Sequence, residues 1–529
     1  MSKLNYTPLD EIDKANYFPT TIHAELSDTF KSGKVQAIAY RKYVLLQLGY
    51  LLKDNVARFE DAMMADLGKP KVEVTFTEIG PSISEIKEAY SNVEKWSKPE
   101  KPAFSMNYTP MRRVIYKQGK GVVLIISPFN YPVNMSFGPI ASAIAAGNTV
   151  VFKPSEQTPA TSSLFAELFP KYVDPSVMRV VNGGVAETSK LLEHPWGHIL
   201  FTGSGRVGRI IASAAGKTLT PLGGKSPVFI DPKCDLPLTA RRLLWGKIVN
   251  AGQSCVAPDY ILVPKDFQEK FIEALKATND TFYPTPEAEA NSVGRLVTPQ
   301  AYNRLSSLLK STKGTIAFGG KLDEATKYIQ PTIVRDVSFD DPLMTKSLVM
   351  SLLRLIIDTL RREIFGPILP IVPVDNIDEA IKFVNAHDHP LALYVFTQDS
   401  ELKTKIINST QSGAVCMNET MTHVAAEGLP FGGVGPSGSG HHNGKFGFDT
   451  FTHTRASLDP PGWLDMILSS RYPPYTDKKL NALSWLFPSL PARPTGPPTS
   501  KEGRSYTKWF LFAIATVFAG LLTKKKISA

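Results

Sequence analysis

A single stretch decides the fold, GVVLIISPFNYPVNMSFGPIASAIAAGNTVVFKPSE (Gly121–Glu156). Two short runs rich in Val, Ile, Leu and Phe enclose an alanine-rich segment. Runs that are apolar on both faces and separated by helices are typical of parallel strands in a sheet covered on both sides. The stretch therefore predicts part of a doubly wound α/β domain, whose ligands bind at the carboxyl ends of the strands.

The same pattern continues along the chain. Further strands are predicted at VMRVVNGG, HILFTGSG and SPVFID, and a helix at RIIASAAGKT. After Asp231 a second α/β region is predicted, with strands near YILVP, PILPIVPV and LALYVFT. Residues 34–98 have a mostly helical pattern, and MNYTPMRRVIYKQGK (106–120) predicts a pair of extended segments.

Composition and charge limit the class of protein. The 529 residues suffice for two to four domains, and 43% hydrophobic with 20% charged residues is ordinary for a globular chain. Of the net charge of +10, seven units lie from Pro461 onward, where ten Lys/Arg face three Asp/Glu. The body is therefore nearly neutral, which argues against a nucleic-acid surface.

The cysteines and the N-terminus favour an intracellular protein. Cys234, Cys255 and Cys416 stand far apart, which disfavours a disulfide framework or a zinc site and fits a reducing compartment. The first residues carry acids and no apolar core, so a secretory signal peptide is not expected.

The C-terminal region predicts a membrane anchor. The run WFLFAIATVFAGLL (Trp509–Leu522) follows a Pro-rich tether (Pro488–Pro498) and has lysines on both sides. Such lysines can reach the membrane interface while the run lies in the bilayer. A span normally needs about 20 residues, so a buried helix is the alternative.

Two stretches are candidates for nucleotide binding. FTGSGRVG (Phe201–Gly208) carries G-x-G-x-x-G between a predicted strand and helix, where glycines let a phosphate approach backbone N–H groups. The acid that usually follows about twenty residues later is missing, because Gly223 stands there, so a glycine-rich turn is the alternative. Lys153 and Glu156, directly after a strand, could bind ribose hydroxyls instead, or could be solvated charges.

One cysteine is a candidate nucleophile. NAGQSCVAPDY (Asn250–Tyr260) places Cys255 among small and polar residues, a pattern that predicts a tight turn presenting the side chain. A thiolate in such a turn could act as a covalent nucleophile. An inert, buried cysteine is the alternative.

Together these stretches resemble the aldehyde dehydrogenase superfamily, in particular its class 3 branch, which includes membrane-anchored fatty aldehyde dehydrogenases. The resemblance extends from about residue 30 to residue 460 and includes the tail. Its motifs occur here in order as SPFNYP, GNTVVFKPSE, FTGS, LGGKSP, NAGQSCVAPDY, EIFGPILP and PFGGVGPSGSG.

The resemblance implies roles for individual residues. Cys255 would be the nucleophile, and the Asn130 side-chain amide would stabilise the oxyanion together with the Cys255 N–H. NAD would be the cofactor, with NADP used by some members of the family, and no metal is implied. The implied cofactor contacts are Lys153, Glu156, Gly203, Ser204, Gly208, Glu363 and Phe365.

The resemblance also implies a reaction and a setting. Long-chain aldehydes would be oxidised to carboxylic acids through a thiohemiacetal, hydride transfer to the nicotinamide and an acyl-cysteine thioester. The chain would form a homodimer. Its tail would anchor it in an intracellular membrane, namely endoplasmic reticulum, mitochondrial outer membrane or lipid droplet, with the body in the cytosol.

The sequence departs from the family at two places. The family has a general-base glutamate just before LGGKSP, whereas LTPLGGKSP (Leu219–Pro227) lacks about four residues, the glutamate among them. Between Met344 and Glu363 about sixteen extra residues are inserted, at about 345–360. Either both changes are real, which predicts a catalytically impaired, membrane-tethered NAD-binding homologue, or they are an exon-boundary error and a translated retained intron.

The domain prediction follows from these assignments. It consists of a helical N-terminal part of the cofactor domain (1–102), an oligomerisation hairpin (103–120), an NAD-binding α/β domain (121–221), a catalytic α/β domain (222–425), an oligomerisation arm (426–460), a Pro-rich basic linker (461–508), a membrane anchor (509–523) and a basic tail (524–529).

Overall fold

The structure, a computed structural model, describes residues 4–12, 21–105, 108–215, 218–221, 224–344, 363–483 and 490–491. The helices in these ranges are α1 (Leu9–Ile12), α2 (Ile22–Lys31), α3 (Ile38–Asp54), α4 (Val56–Leu67), α5 (Lys71–Val74), α6 (Gly80–Trp96), α7 (Asn134–Ala145), α8 (Pro159–Tyr172), α9 (Val185–Leu192), α10 (Gly205–Ala215), α11 (Leu236–Ile248), α12 (Gln268–Phe282), α13 (Pro286–Ser292), α14 (Pro299–Ser311), α15 (Ile377–Asn385), α16 (Ser400–Ser409), α17 (Gly444–Thr450), α18 (Leu464–Ile467) and α19 (Asp477–Leu483).

The strands in the same ranges are β1 (Val114–Gly119), β2 (Val122–Ile126), β3 (Thr149–Lys153), β4 (Met178–Val180), β5 (His198–Phe201), β6 (Thr218–Pro221), β7 (Ser226–Ile230), β8 (Pro258–Pro264), β9 (Thr315–Phe318), β10 (Leu322–Asp323), β11 (Tyr328–Ile329), β12 (Thr332–Arg335), β13 (Ile368–Val374), β14 (Ala392–Phe396), β15 (Ala414–Met417), β16 (Gly438–Ser439) and β17 (Thr452–Ser457). The helical pattern of residues 34–98 and the predicted strands on both sides of Asp231 are confirmed.

Two mostly parallel sheets organise the described chain. The first has the order β16-β6-β5-β2-β3-β4, and only the pair β16–β6 is antiparallel. The second has the order β15-β14-β7-β8-β13-β12-β9, and only β12–β9 is antiparallel. The neighbouring interior strands β2 and β3 of the first sheet are buried at every residue, which explains their continuous apolar sequence.

The core of the first sheet is aromatic on one side. Helices α3, α6, α7 and α8 supply much of it, and the rings of Phe137, Phe152, Phe165 and Phe169 contact one another. Side chains alternate along a strand, so the Phe152 side chain lies on one face of β3, and these ring contacts bury that face. This packing fixes the positions of β2 and β3, and with them the carboxyl ends of these strands.

The predicted extended pair at 106–120 is a single strand in the described residues. Thr109–Met111 forms a 3₁₀ turn, which suits Pro110, and β1 follows it. β1 pairs along its length with β17, from Val114 opposite Ser457 to Gly119 opposite Thr452. The two segments predicted as oligomerisation elements thus pair with each other, while the domain boundaries and the dimer stay predictions.

The described chain separates into two compact units. Most of it, up to Lys101 and from Val114 to Ser457, forms the first unit. Pro102–Arg113 and the described residues from Leu458 onward form the second, in which the Asp459 N–H donates to the Met111 carbonyl (3.0 Å). The predicted anchor, residues 509–523, lies outside the described residues, and no helix within them has the length and apolarity to cross a bilayer.

Candidate active site

Three strands of the first sheet end at the same edge, and the predicted cofactor residues follow them. Lys153 ends β3 and lies opposite Ile126 of β2, which lies opposite Phe201 of β5. The Thr202 N–H donates to the Ile126 carbonyl (3.1 Å), which continues the ladder beyond the strands. The edge therefore holds the residues after β2, β3 and β5 side by side, where ligands of doubly wound sheets bind.

Lys153 and Glu156 form an ion pair at this edge. The Lys153 Nζ lies 2.7 Å from Glu156 Oε2, and the lysine side chain is 6% exposed against 36% for the glutamate. One group donates hydrogen bonds and the other accepts them, which suits the vicinal hydroxyls of a ribose. The structure thus places both predicted ribose residues together and leaves the carboxylate accessible.

The glycine motif lies at the start of α10. A Cβ atom on Gly203 would be 2.6 Å from the Phe201 ring, so only glycine fits there. Ser204 Oγ accepts from the Val207 N–H (3.5 Å), and the Gly208 N–H donates to the Ser204 carbonyl (3.0 Å). Gly208 is therefore part of the first helical turn, and the positive end of the helix faces the edge.

This edge fits a dinucleotide. The backbone comes close at Gly203, the helix N-terminus favours a pyrophosphate, and the Lys153–Glu156 pair offers ribose contacts. The buried hydroxyl of Thr202 makes no hydrogen bond within the described part of the chain, so it remains available to a ligand. The donor set is thus the one that the sequence predicts for NAD.

Cys255 follows a strained turn. Asn250, Ala251 and Gly252 have φ values of +55°, +52° and +70°, and Cys255 comes three residues later, just before β8. The left-handed conformation costs about 1–2 kcal/mol at a residue with a side chain, so the surrounding structure must hold this turn. The predicted tight turn is thereby present, and Cys255 is partly buried at its end.

The Cys255 thiol is neutral in these surroundings. Burial raises the pKa of the thiol to about 12, and the negative charge of Glu363 contributes. The N–H groups of Cys255 and Val256 face the sulfur and lower the pKa by less. Backbone N–H groups beside a nucleophile are the donor type that an oxyanion site requires, so the predicted role of the Cys255 N–H is compatible with this geometry.

Asn130 lies against the Cys255 turn. It is buried, and its side-chain Nδ2 donates to the carbonyl of Gln253, two residues before Cys255 (3.0 Å). The Asn250 side chain in turn donates to the Asn130 carbonyl (2.7 Å). The structure therefore brings the predicted oxyanion donor and the predicted nucleophile together.

Phe365 and Glu363 join this group from a third segment. Phe365, with φ +48°, packs edge-to-face on Phe129 (5.9 Å between ring centres). A Cβ on Gly252 would lie 2.3 Å from the Gly366 carbonyl, so the two turns touch. Burial and the charge of Asp259 raise the pKa of Glu363 well above its ordinary value, which places this carboxyl among charged groups as well as near Cys255.

Four charged residues around the site have no counterpart in the sequence predictions. Lys69, Glu73 and Glu78 hold the turns of Asn130 and Cys255, and Lys247 is buried with no hydrogen bond from its Nζ among the described residues. Burial lowers the pKa of Lys247 to about 8. In the sequence all four look like solvated charges on helices, so no local signal identifies them.

A cavity opens beside the apolar surroundings of Cys255. Met135 and Val424 belong both to its wall and to the cluster against which Cys255 packs. Three carboxyls also line it, and burial together with Glu88 and Glu427 raises the pKa of Glu85 to about 7. The Cys255 side of the molecule therefore offers apolar surface next to acidic groups.

Comparison with known proteins decides the family. Residues 23–457 match the model of the "Aldehyde dehydrogenase family". The chain belongs to the aldehyde dehydrogenase family. It is 40% identical to mouse aldehyde dehydrogenase family 3 member B1 over 87% of this chain and 95% of that protein. It is 38% identical to the beta-apo-4'-carotenal oxygenase of Neurospora crassa over 96% of this chain and 92% of the relative.

Solved structures share the fold of this aldehyde dehydrogenase. Staphylococcus aureus AldH in a substrate-bound state matches with a TM-score of 0.82 and 36% identity, over 88% of this chain and 99% of that one. A Mycobacterium tuberculosis aldehyde dehydrogenase complexed with NAD+ matches with 0.72 and 26% identity, over 84% and 90%. GapN of Methanocaldococcus jannaschii, complexed with NADP, matches with 0.71 and 25%, over 83% and 93%.

These findings confirm the α/β fold with parallel sheets and the class of enzyme. The roles of the individual site residues stay predictions, although the structure places all of them at the two neighbouring positions just described. The missing glutamate would precede Leu222, at the border of the described residues, and the predicted insertion at about 345–360 lies outside them.

Proposed function

We propose that this aldehyde dehydrogenase oxidises long-chain, apolar aldehydes with NAD+ or NADP+ and is tethered to an intracellular membrane. The observation that carries the proposal is the meeting of Asn130 with the Cys255 turn inside an apolar cluster. A thiol beside oxyanion donors suits a carbonyl substrate, and apolar surroundings suit an aliphatic chain.

Residues of the chain divide the reaction between them. The Cys255 sulfur attacks the carbonyl carbon. The proposed donors to the oxygen that becomes negative are the N–H groups at Cys255 and Val256, which face the sulfur, and the Asn130 amide, which donates to the Gln253 carbonyl in this structure. Lys153, Glu156 and the start of α10 would hold the dinucleotide, which would supply the hydride acceptor for the oxidation. Water then cleaves the thioester and releases the acid and the thiol.

Support for the substrate class comes from the surroundings and from a relative. Tyr131, Met135 and Val256 belong to the cluster that packs on Cys255. The Neurospora crassa relative is named for a carotenal. An apolar aldehyde partitions into lipid, so an anchor would place the enzyme where its substrate is concentrated.

The apolar run Trp509–Leu522 is proposed as this anchor. Its flanking lysines fit a tail-anchored chain with its body in the cytosol, at the endoplasmic reticulum, the mitochondrial outer membrane or a lipid droplet. A homodimer built on the paired β1 and β17 segments is part of the same proposal.

A second candidate function rests on a specific observation. No acid lies between Ala215 and Asp231, so the position just before LGGKSP supplies no general base. The alternative is therefore a membrane-tethered homologue that binds NAD but hydrolyses the thioester poorly.

One assay separates the two. Purified chain is mixed with NAD+ and hexadecanal or propanal, and NADH is followed by absorbance, with Cys255→Ala as the control. Sustained NADH formation that is faster with hexadecanal and absent in the control supports the enzyme. A chain that binds NAD+ in calorimetry but forms at most one NADH per Cys255 supports the impaired homologue.

A further inference from the structure

The two turns that carry Asn130 and Cys255 are both bonded to one short segment, Lys69–Glu78. The segment begins after α4, contains α5 and extends into a π-helical turn, Thr75–Ile79. In a regular α-helix, Glu73 and Glu78 would point to different faces, because five residues exceed one turn. A π-helical turn holds more residues, so both carboxyls can reach the same side.

Glu78 holds the Asn130 turn. Its Oε2 accepts the N–H groups of Val133 (3.1 Å) and Asn134 (2.8 Å), just after Asn130. Its Oε1 accepts from Lys69 Nζ (2.6 Å), and neither side chain is exposed to solvent. Charge-assisted bonds in a dry interior have defined geometry, so the Asn130 turn is fixed.

Glu73 holds the Cys255 turn. Its Oε2 accepts the N–H of Asn250 at 2.9 Å. Asn250 is the first of three consecutive left-handed residues that lead to Cys255. This bond therefore anchors the strained end of the turn, at the point where the chain leaves α11.

Lys69 connects the two ends. Its Nζ also lies 3.3 Å from the Asn130 carbonyl, which accepts from the Asn250 side chain, and 4.4 Å from the centre of the Tyr131 ring. The charge of Lys69 further favours the ionised form of Glu73, whose pKa burial raises to about 7. The titratable groups facing Glu73 are thus Lys69, Tyr131 and Tyr283.

We propose that Glu73 is a positioning residue, which sets the distance between Cys255 and Asn130 by holding the Asn250 amide. The segment Lys69–Glu78 then holds both the turn of the nucleophile Cys255 and the turn of the oxyanion donor Asn130. This rests on the proposed function only in that Cys255 is the nucleophile. Because the effect precedes thioester hydrolysis, it does not depend on the missing glutamate.

The test measures Cys255 itself. Second-order rates of alkylation by iodoacetamide, read for the Cys255 peptide apart from those of Cys234 and Cys416, are compared for the full chain and for Glu73→Ala, Glu73→Gln and Glu73→Asp. The first NADH formed per Cys255 from hexadecanal is measured for the same chains. Glutamine keeps an acceptor oxygen at the same reach, whereas alanine lacks it and aspartate is too short. The matched control is Glu60→Ala, which removes a carboxylate bonded to Lys71 of the same segment (3.2 Å).

We expect alanine and aspartate to slow the first hydride transfer about ten- to hundredfold through kcat rather than KM, because misplacement by about 1 Å can cost that much. Their alkylation profiles against pH change, while glutamine stays within about threefold and the control is unchanged. NAD+ affinity by calorimetry is equal in all variants.

Unchanged alkylation and hydride transfer in Glu73→Ala would overturn the proposal, as would equal losses in Glu73→Gln and Glu73→Ala. If alanine prevents folding, the contrast between glutamine and aspartate decides by itself. Failure of the proposed function looks different, since Cys255→Ala would then leave NADH formation as it was.

Discussion

At the scale of single residues, the environment of Cys255 decides whether it can react. A thiol with a pKa near 12 is almost entirely protonated at neutral pH, and the thiolate is the nucleophile. Activity therefore requires a change of surroundings when ligands fill the site, or removal of a nearby negative charge. The neighbouring Glu363 supplies such a charge.

Replacing Glu363 by glutamine should lower the pKa of Cys255. The carboxylate raises that pKa, so its removal shifts the iodoacetamide alkylation profile to lower pH. Alkylation at pH 8 then becomes faster than in the unchanged chain. A profile displaced to higher pH, or not displaced, would show that the two groups do not interact.

The missing glutamate makes a second prediction at this scale. Restoring a family-type segment, with Leu-Glu before Leu222-Gly223-Gly224, should raise steady-state NADH formation by about 10²–10⁴, because a general base typically contributes that much. The amplitude of the first turnover should stay the same. Stopped-flow absorbance measures both, and the same segment carrying glutamine in place of the glutamate is the control.

At the scale of elements, local sequence pattern predicts the strands well, but it does not predict that the charged residues of the segment Lys69–Glu78 are buried. β2 and β3 were predictable because burial on both faces demands continuous apolar residues. The burial of Lys69 and Glu78 depends on a π-helical turn and on contacts with residues more than fifty positions away. Nothing in GKPKVEVTFTE separates these charges from solvated ones.

The buried ion pair of that segment should be important for stability. Lys69→Met leaves the Glu78 carboxylate without its cation in a dry site, so we expect a loss of about 3–5 kcal/mol in the free energy of unfolding. Lys445→Met, which breaks an exposed pair with Asp449, should cost less than about 1 kcal/mol. Urea unfolding followed by circular dichroism measures the free energy of unfolding of both variants. Equal losses would refute the prediction that the buried pair contributes more to stability than the exposed one.

Glu363 shows that local sequence pattern also fails to predict the charged surroundings of a site residue. Its motif, EIFGP, predicted a ribose contact, and Phe365 indeed lies on Phe129 beside Asn130. No local pattern indicates that the charges of Lys225, Asp259 and Lys247 act on this carboxyl. These neighbours come from the residue before β7, from β8 and from α11, so only the folded chain brings them together.

At the scale of the whole molecule, the tail and the body make separable predictions. Deleting residues 509–529 should abolish flotation of the protein with phosphatidylcholine vesicles that contain anionic lipid. NADH formation from propanal should stay within about twofold, since the deleted stretch contains none of the predicted site residues and a short aldehyde does not need a membrane to be concentrated. A full chain that remains at the bottom of the gradient would rule out the anchor.

Connectivity has a consequence for synthesis on the ribosome. Phe448 and Phe451, from α17 and the residue after it, lie in the core built by α3, α6 and α7, and Phe448 packs on Trp96 (5.5 Å). β1 likewise cannot form its pairing with β17 until β17 has been synthesised. The N-terminal half must therefore leave the exit tunnel with a gap in its interior and remain open until nearly the whole first unit has been translated. From the end of α7 to Phe451, synthesis takes about 15–60 s at about 5–20 residues per second, and during that interval the apolar surface that α17 covers in the folded chain has no native partner.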